Sequence, residues 1–251
     1  MTFPSRRALI LDLDFTLLHL EFIPDPIEVP GRTRSAYIAP QTVDILRDLQ
    51  AKFDLVLATA RSLDGTDWVV NGLKNRGVEV AALVLEDGAR LGAPNDLRAF
   101  DADFEVAKWR ARLETSNANE SSFEWQFDFE NCLVARCENG EIGEVLLQKW
   151  AENWSAASHN ARFFRDGRKV YALPARADKW SALQLLLGEK ASEAAGVGDG
   201  ANDLVWLPRV ATPATFARAK PVLVEAVRAR GGMVCESDGH DGIAQILRGF
   251  L

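Results

Sequence analysis

Short apolar runs that stop at polar, chemistry-bearing residues recur along this chain, and they constrain its fold more than any other feature. The first, ALILDLDFT (residues 8–16), packs β-branched and leucine side chains into a few positions and ends on Asp12, Asp14 and Thr16. A run of this kind predicts a strand buried on both faces, as in a parallel sheet. From Pro40 to Phe53, the residues Val43, Leu46, Leu49 and Phe53 recur at helical spacing, and DLVLATAR then supplies a second buried strand ending at Thr59. Asp64 is the expected N-cap of a helix over 65–76 closed by Gly77, and VAALVLEDGARL adds a strand with a Gly-centred turn. The same rhythm returns near the C-terminus. It predicts a helix from Lys179 to Leu187, a strand in AAGVGD, a helix after Asn202, a short segment near Ala211 and a helix from Pro221 to Arg230. Strand and helix alternation predicts an α/β fold, a doubly wound parallel sheet with its ligand site at the carboxyl ends of the strands.

Between these blocks the pattern changes. Residues 102–114 look helical, and SSFEWQFDF alternates aromatic and polar residues. NCLVARCENG reads as its hairpin partner turning at Asn139-Gly140. A helix with Ile142, Val145, Leu146, Trp150 and Trp154 on one side follows, then two strands of ARFFRDGRKVYAL around Asp166-Gly167. Period-two alternation belongs to a sheet with one solvated face, so residues 95–170 are expected as a smaller α+β domain inserted into a core made of 1–94 and 171–251. Trp109, Trp125, Trp150 and Trp154 are expected to fill core positions.

Charge and composition narrow the function. The 251-residue chain carries a net charge of -7, which repels phosphate backbones and anionic lipids at long range, so neither nucleic acid nor a membrane is expected as partner. A small anionic ligand remains compatible where positive charge is concentrated locally. Cys132, Cys137 and Cys235 are odd in number and lack metal-site spacing, so they are expected as buried thiols in a reducing compartment. No secretory cleavage region and no membrane-length apolar run is present, and the cytoplasm is the expected location. His19 and His159 stand alone and are expected in packing or surface roles.

In a doubly wound sheet the polar ends of separate strands meet. Asp12, Asp14, Thr16, Thr59, Lys179, Asp199, Asn202 and Asp203 are therefore expected in one crevice. Four carboxylates, Asp12, Asp14, Asp199 and Asp203, would repel one another without a cation, and an oxygen-rich set suits Mg2+. Asp12 and Asp14 fall on the same side of an extended segment, so one can attack phosphorus while the other moves the proton of the leaving oxygen. Thr59 and Lys179 would then hold the phosphate oxygens.

The segments DLDFT, LATAR, ADKWSAL and GDGANDLVWL resemble the four motifs of the haloacid dehalogenase superfamily, in an order and spacing that span the whole core. The resemblance implies a HAD-like Rossmannoid core and a phosphatase. It makes Asp12 the nucleophile that becomes an aspartyl phosphate, and Asp14 the general acid and base. Thr59 and Lys179 become phosphate binders. Asp12, Asp199 and the backbone carbonyl of Asp14 become the Mg2+ ligands, supported by Asn202 and Asp203. An acid at position 14 favours phosphoryl transfer over dehalogenation. The insert's position resembles the large cap of Cof-type sugar phosphatases, which implies a small phosphorylated metabolite, a sugar phosphate, as substrate. That group carries TGR where this chain has TAR, so Arg61 is a candidate substrate binder, a surface contact being the alternative. It carries NGA where this chain has Asp87-Gly88-Ala89. Arg162, Arg165, Arg168 and Lys169 form a basic group at the end of the insert, read either as a solvated hairpin or as substrate contacts. Asp238 or His240 is expected to cap the last helix. A phosphomutase on the same core and a non-catalytic metabolite-binding protein are the alternatives. Neither the metabolite nor the oligomeric state follows from the sequence.

Overall fold

The strand predicted at the N-terminus, β1 (Arg7–Leu11), is buried from its second residue onward and lies in the middle of an eight-stranded sheet. The computed structural model describes residues 6–31, 33–116, 122–155 and 161–251. His159, Ser121 at the head of SSFEWQFDF, and the side chain of Trp154 lie outside the described residues. The remaining elements follow in chain order. A hairpin of β2 (Ile27–Val29) and β3 (Ala36–Ile38) precedes α1 (Pro40–Leu49), β4 (Phe53–Ala58), α2 (Leu63–Asn75) and β5 (Val80–Leu85). Next come β6 (Arg90–Ala93), β7 (Asp96–Ala99), α3 (Val106–Ser116), β8 (Phe123–Trp125) and β9 (Leu133–Cys137). They are followed by α4 (Gly140–Ser155), β10 (Ala161–Asp166), β11 (Lys169–Pro174), α5 (Lys179–Leu187) and α6 (Lys190–Glu193). The chain closes with β12 (Ala195–Val197), β13 (Thr212–Phe216), α7 (Pro221–Ala229), β14 (Met233–Cys235) and α8 (Gly239–Arg248).

The large sheet has the order β14-β13-β12-β1-β4-β5-β6-β7. Its first six strands are parallel and the last two antiparallel. The chain winds outward from β1 to β4 and β5, then returns to the other side of β1 through β12. The switch point between β1 and β12 is where an open α/β sheet leaves a crevice at its carboxyl ends. The α/β doubly wound expectation is met, with an antiparallel edge that VAALVLEDGARL contributes because it is a hairpin.

A second, antiparallel sheet of order β10-β11-β9-β8 arises from the inserted segment. Its side chains alternate between two apolar clusters. Leu133, Ala135, Val170 and Ala172 join Leu113, Leu146 and Trp150 beneath the helices. Val134, Tyr171 and Leu173 point the other way, to Ala89 and Ala177 of the core. This sheet is therefore covered on one face by its own helices and turned toward the core on the other. Pairing puts 96–99 in the large sheet and 171–174 in the small one.

Several local expectations are corrected. Phe53 opens β4 instead of ending α1. Ser62, not Asp64, caps α2, its hydroxyl accepting from the Gly65 amide, while Asp64 stands in the first turn. Asn139-Gly140 is no hairpin turn. The Asn139 side-chain Oδ1 accepts from the Ile142 amide at 2.9 Å and starts α4. Ile142, Leu146 and Trp150, spaced by four, lie toward the cap core, and Val145 falls off that stripe, 53% exposed. The chain after Asn202 forms two short 3-10 turns, Ala201–Asp203 and Leu207–Arg209, because Pro208 cannot continue a helix. Asp238 precedes α8, but its carboxylate pairs with Arg218 at 2.6 Å instead of capping, and the His240 ring nitrogen lies 2.9 Å from the Glu21 carbonyl. The three cysteines are free and buried. No described helix is long and apolar enough to cross a membrane.

Candidate active site

The residues expected to converge do so at the carboxyl ends of β1, β4 and β12. Asp12 follows β1, Thr59 follows β4, and the Gly198–Asp203 loop follows β12. Lys179 is the first residue of α5, where Asp178 caps the helix by accepting from the Ser181 amide at 2.7 Å. That cap aims Lys179 inward. Its ammonium is fully buried and lies 2.7 Å from Asp12 Oδ1 and 2.7 Å from Asp203 Oδ1.

Asp203 has both oxygens engaged. Oδ1 also accepts from Trp206 Nε1 at 2.8 Å, and Oδ2 accepts from the amides of Asp199 (3.0 Å) and Gly200 (2.9 Å). It therefore shapes the loop and fixes Lys179, and its carboxylate is also part of the acidic cluster in which a cation is expected. The loop needs glycine at 198, since a Cβ there would come within 2.7 Å of the Asp203 carboxylate.

Asp199 Oδ1 accepts from the Thr16 hydroxyl at 3.0 Å. Oxygens of Asp12, Asp199 and Asp203 lie within 4.8 Å of one another. Set against the single ammonium of Lys179, these three carboxylates leave two formal negative charges. Burial pushes Asp199 up to about 7, with the Asp203 charge adding to it. Burial likewise raises Asp12 well above the usual carboxylate range, Asp203 and Asp199 reinforcing the shift and Lys179 opposing it. Uncompensated negative charge in an oxygen-only donor set fits a hard divalent cation held by Asp12 and Asp199.

Asp14 is treated differently by its surroundings. Arg61 grips it with two hydrogen bonds, Nε to Oδ2 at 2.9 Å and Nη2 to Oδ1 at 2.6 Å. Burial alone would raise Asp14, but the hydrogen bonds and charge of Arg61 outweigh it and hold the carboxyl below its ordinary range. The Thr59 hydroxyl accepts from the Arg61 amide at 3.2 Å. Asn202 is not directed at Asp199. Its amide donates to Asp87 Oδ1 at 3.2 Å.

A cavity of about 650 Å³ opens over these groups, between the core and the inserted sheet. Asp12, Asp14, Thr59, Arg61, Asp199 and Asn202 line its floor, whereas Lys179 lies behind Asp12 and out of the cavity. On the opposite wall are Gln126, Asp128, Phe129, Arg136, Arg168 and Lys169. Of the basic group read from the sequence, Arg168 and Lys169 reach the cavity. Arg162 instead bonds Asp87 Oδ2 at 2.5 Å and the Ala177 carbonyl, and Arg165 pairs with Glu144 at 3.2 Å.

Sequence reasoning missed Arg136, Asp128 and Trp206; the Gly-centred turn it expected falls at Glu86–Gly88. Glu86 and Asp87 both adopt positive φ (54° and 53°), a conformation that costs free energy and persists only where the surroundings enforce it. They are enforced here by the Glu86 amide donating to the Arg61 carbonyl and the Asp87 amide to the Thr59 carbonyl. Glu86 then accepts from the amides of Glu130 (3.1 Å) and Asn131 (2.8 Å) in the insert. Arg136 was readable in principle, because period-two alternation in LVARC sets it on the same face as Val134.

The doubly wound core with its inserted antiparallel sheet is a fold that other proteins share. Solved structures agree over nearly the full chain. The sucrose-phosphatase from Synechocystis, solved with sucrose and phosphate, is 20% identical, with a TM-score of 0.67 and coverage of 98% of each chain. A haloacid dehalogenase-like hydrolase from Bacteroides thetaiotaomicron is 16% identical, with a TM-score of 0.72 and coverage of 98% of this chain and 100% of that one. A HAD/COF-like hydrolase from Plasmodium vivax is 12% identical, with a TM-score of 0.69 and coverage of 97% and 95%. The expected Cof-type resemblance is thus met at the level of the fold. No protein-family model and no curated protein matches the sequence.

Proposed function

We propose that the protein is a Mg2+-dependent phosphatase that hydrolyses a small phosphorylated metabolite, a sugar phosphate, through an aspartyl-phosphate intermediate. The single observation that carries this reading is the placement of Asp12. It combines burial, a lysine on one oxygen and a position in the lining of the cavity beside Asp14.

Lys179 occupies Asp12 Oδ1, so Oδ2 is the nucleophilic atom. Mg2+ held by Asp12, Asp199 and the Asp14 carbonyl would supply charge neutralisation for the incoming phosphate. Arg61 and the Thr59 hydroxyl face the floor of the cavity and bind the non-bridging oxygens. A phosphate that draws Arg61 toward itself frees Asp14 from the contact that keeps it ionised, and a protonated Asp14 can then serve the leaving oxygen. Oδ2 forms a bond to phosphorus as the ester P–O bond breaks and Asp14 gives up its proton. Water then attacks phosphorus, Asp14 takes a proton from it, and the P–Oδ2 bond breaks to regenerate Asp12. The inserted segment acts as a cap that excludes bulk water and contacts the leaving group. Cytoplasmic location fits three unpaired cysteines.

The test is release of inorganic phosphate from p-nitrophenyl phosphate with Mg2+, with and without chelator, for the native protein and Asp12→Asn. Turnover that requires the cation and falls at least about a thousandfold in the variant is expected. Near-native turnover by Asp12→Asn would remove the mechanism. Conversion of a sugar phosphate to an isomer with no phosphate released would assign the mutase instead.

A further inference from the structure

The wall opposite the catalytic carboxylates carries a charge arrangement that a phosphate ester with a neutral leaving group does not require. Along one row of the inserted sheet the cross-strand pairs run Asp166↔Lys169, Lys169↔Arg136 and Arg136↔Glu124. All four side chains project from the same face as Val134 and Tyr171, toward the core. Two cations therefore sit opposite each other in the middle of the row, each with a carboxylate on its outer side.

Lys169 and Arg136 line the cavity, joined by Arg168 from the turn that connects β10 and β11. Arg136 is the informative member. It is half-buried, and no hydrogen bond or ion pair joins its guanidinium to any described residue. Its near neighbours in the row are accounted for: Glu124 opens onto a smaller pocket beside it, and Asp166 flanks Lys169 on the outer strand. A planar, five-donor group left without a partner at the wall of a cavity matches a carboxylate or phosphate. At about 650 Å³ the cavity also holds far more than a phosphoryl group.

We infer that the substrate carries a second anionic group, a carboxylate or a second phosphate, at the end of its leaving group, and that Arg136 with Lys169 recognises it. This rests on the phosphatase reading and narrows its substrate class to phosphate esters that are anionic at both ends.

Three probes with one carbon skeleton separate the possibilities: glucose 6-phosphate, 6-phosphogluconate and glucose 1,6-bisphosphate. For the native enzyme, kcat/KM is expected to be at least about tenfold higher for an anionic probe than for glucose 6-phosphate. Preference for 6-phosphogluconate identifies the carboxylate as the second group, and preference for the bisphosphate identifies a phosphate. Arg136→Gln should collapse that ratio toward one, chiefly through KM, while Arg136→Lys should retain part of it. Equal kcat/KM for all three probes, or an unchanged ratio in a folded Arg136→Gln protein, would overturn the inference. Hydrolysis of p-nitrophenyl phosphate by the native enzyme reports the phosphatase reading separately. Turnover there without any preference sinks only the substrate class, and no turnover of any ester sinks the reading beneath it.

Discussion

Replacing Lys179 by methionine tests the physical centre of the site. The ammonium is 0% exposed and bridges Asp12 and Asp203 at 2.7 Å each. Methionine fills nearly the same volume, so the loss is one of charge. Removing one partner of a buried ion pair costs about 3–5 kcal/mol, because the remaining charges stay buried without compensation. For a chain of this size each kcal/mol moves Tm by about 2–4 °C, so Lys179→Met is expected to melt roughly 10 °C below the native protein in metal-free buffer. The sign of the pH dependence follows. Lys179 is raised above its ordinary value by Asp12 and Asp203 despite burial, so its stabilisation is fully present below pH 10 and does not vary between pH 5 and 8. In the variant Asp12, already raised by burial and its acidic neighbours, loses the lysine that opposes that shift, so stability falls as pH rises through that range. The deficit should be small near pH 5 and large near pH 8, measured by thermal melts at both. A variant that melts within about 2 °C of the native protein at pH 8 would refute the claim that this lysine neutralises the cluster.

Arg61→Ala should raise KM for a generic aryl phosphate by about tenfold or more, since it deletes a cationic phosphate contact, and unchanged KM would leave Arg61 as a mere partner of Asp14. His19 supplies a pH-dependent stability term. Burial, with the adjacent His240 charge, depresses it to about 4 from 6.5, so its contribution is intact above pH 6.5 and lost as pH falls toward 4. The loss amounts to about 3 kcal/mol. Urea midpoints should therefore drop more steeply over that window in the native protein than in His19→Gln, and parallel curves would show that His19 does not titrate there.

The core was legible because two periodicities and a few punctuating residues determine it. ALILDLDFT cannot be a surface strand, and its carboxylates cannot lie mid-sheet, so both must stand at a strand's end in company with other polar ends. That logic found Asp12, Asp14, Thr59, Lys179 and Asp199 without any pairing information. It failed where a side chain's role depends on what its oxygens meet. Asp203 read as one more carboxylate for a cation, and only the structure shows that it also accepts from the amides of Asp199 and Gly200 and from Trp206 Nε1. The sequence shows that Trp206 is aromatic, but not that its N–H closes the loop.

The cap shows a second kind of limit. Arg162, Arg165, Arg168 and Lys169 looked like one basic group because they are neighbours in sequence. In a strand, neighbours face opposite ways, and the sheet divides them accordingly. Arg162 turns to the core and is absorbed by Asp87, Arg165 turns to α4 and pairs with Glu144, and Lys169 meets Arg136 across β9 and β11. The cationic surface on the cavity wall thus joins residues 33 positions apart in the chain, set opposite each other by antiparallel register. Register depends on which strands pair, and pairing is a property of the whole cap. A one-residue slip of β9 would place Ala135 over the cavity and bury Arg136 against Leu146 and Trp150, at a desolvation cost no packing there could offset. The apolar face of the cap therefore fixes the register, and the register in turn puts Arg136 where a leaving group would meet it.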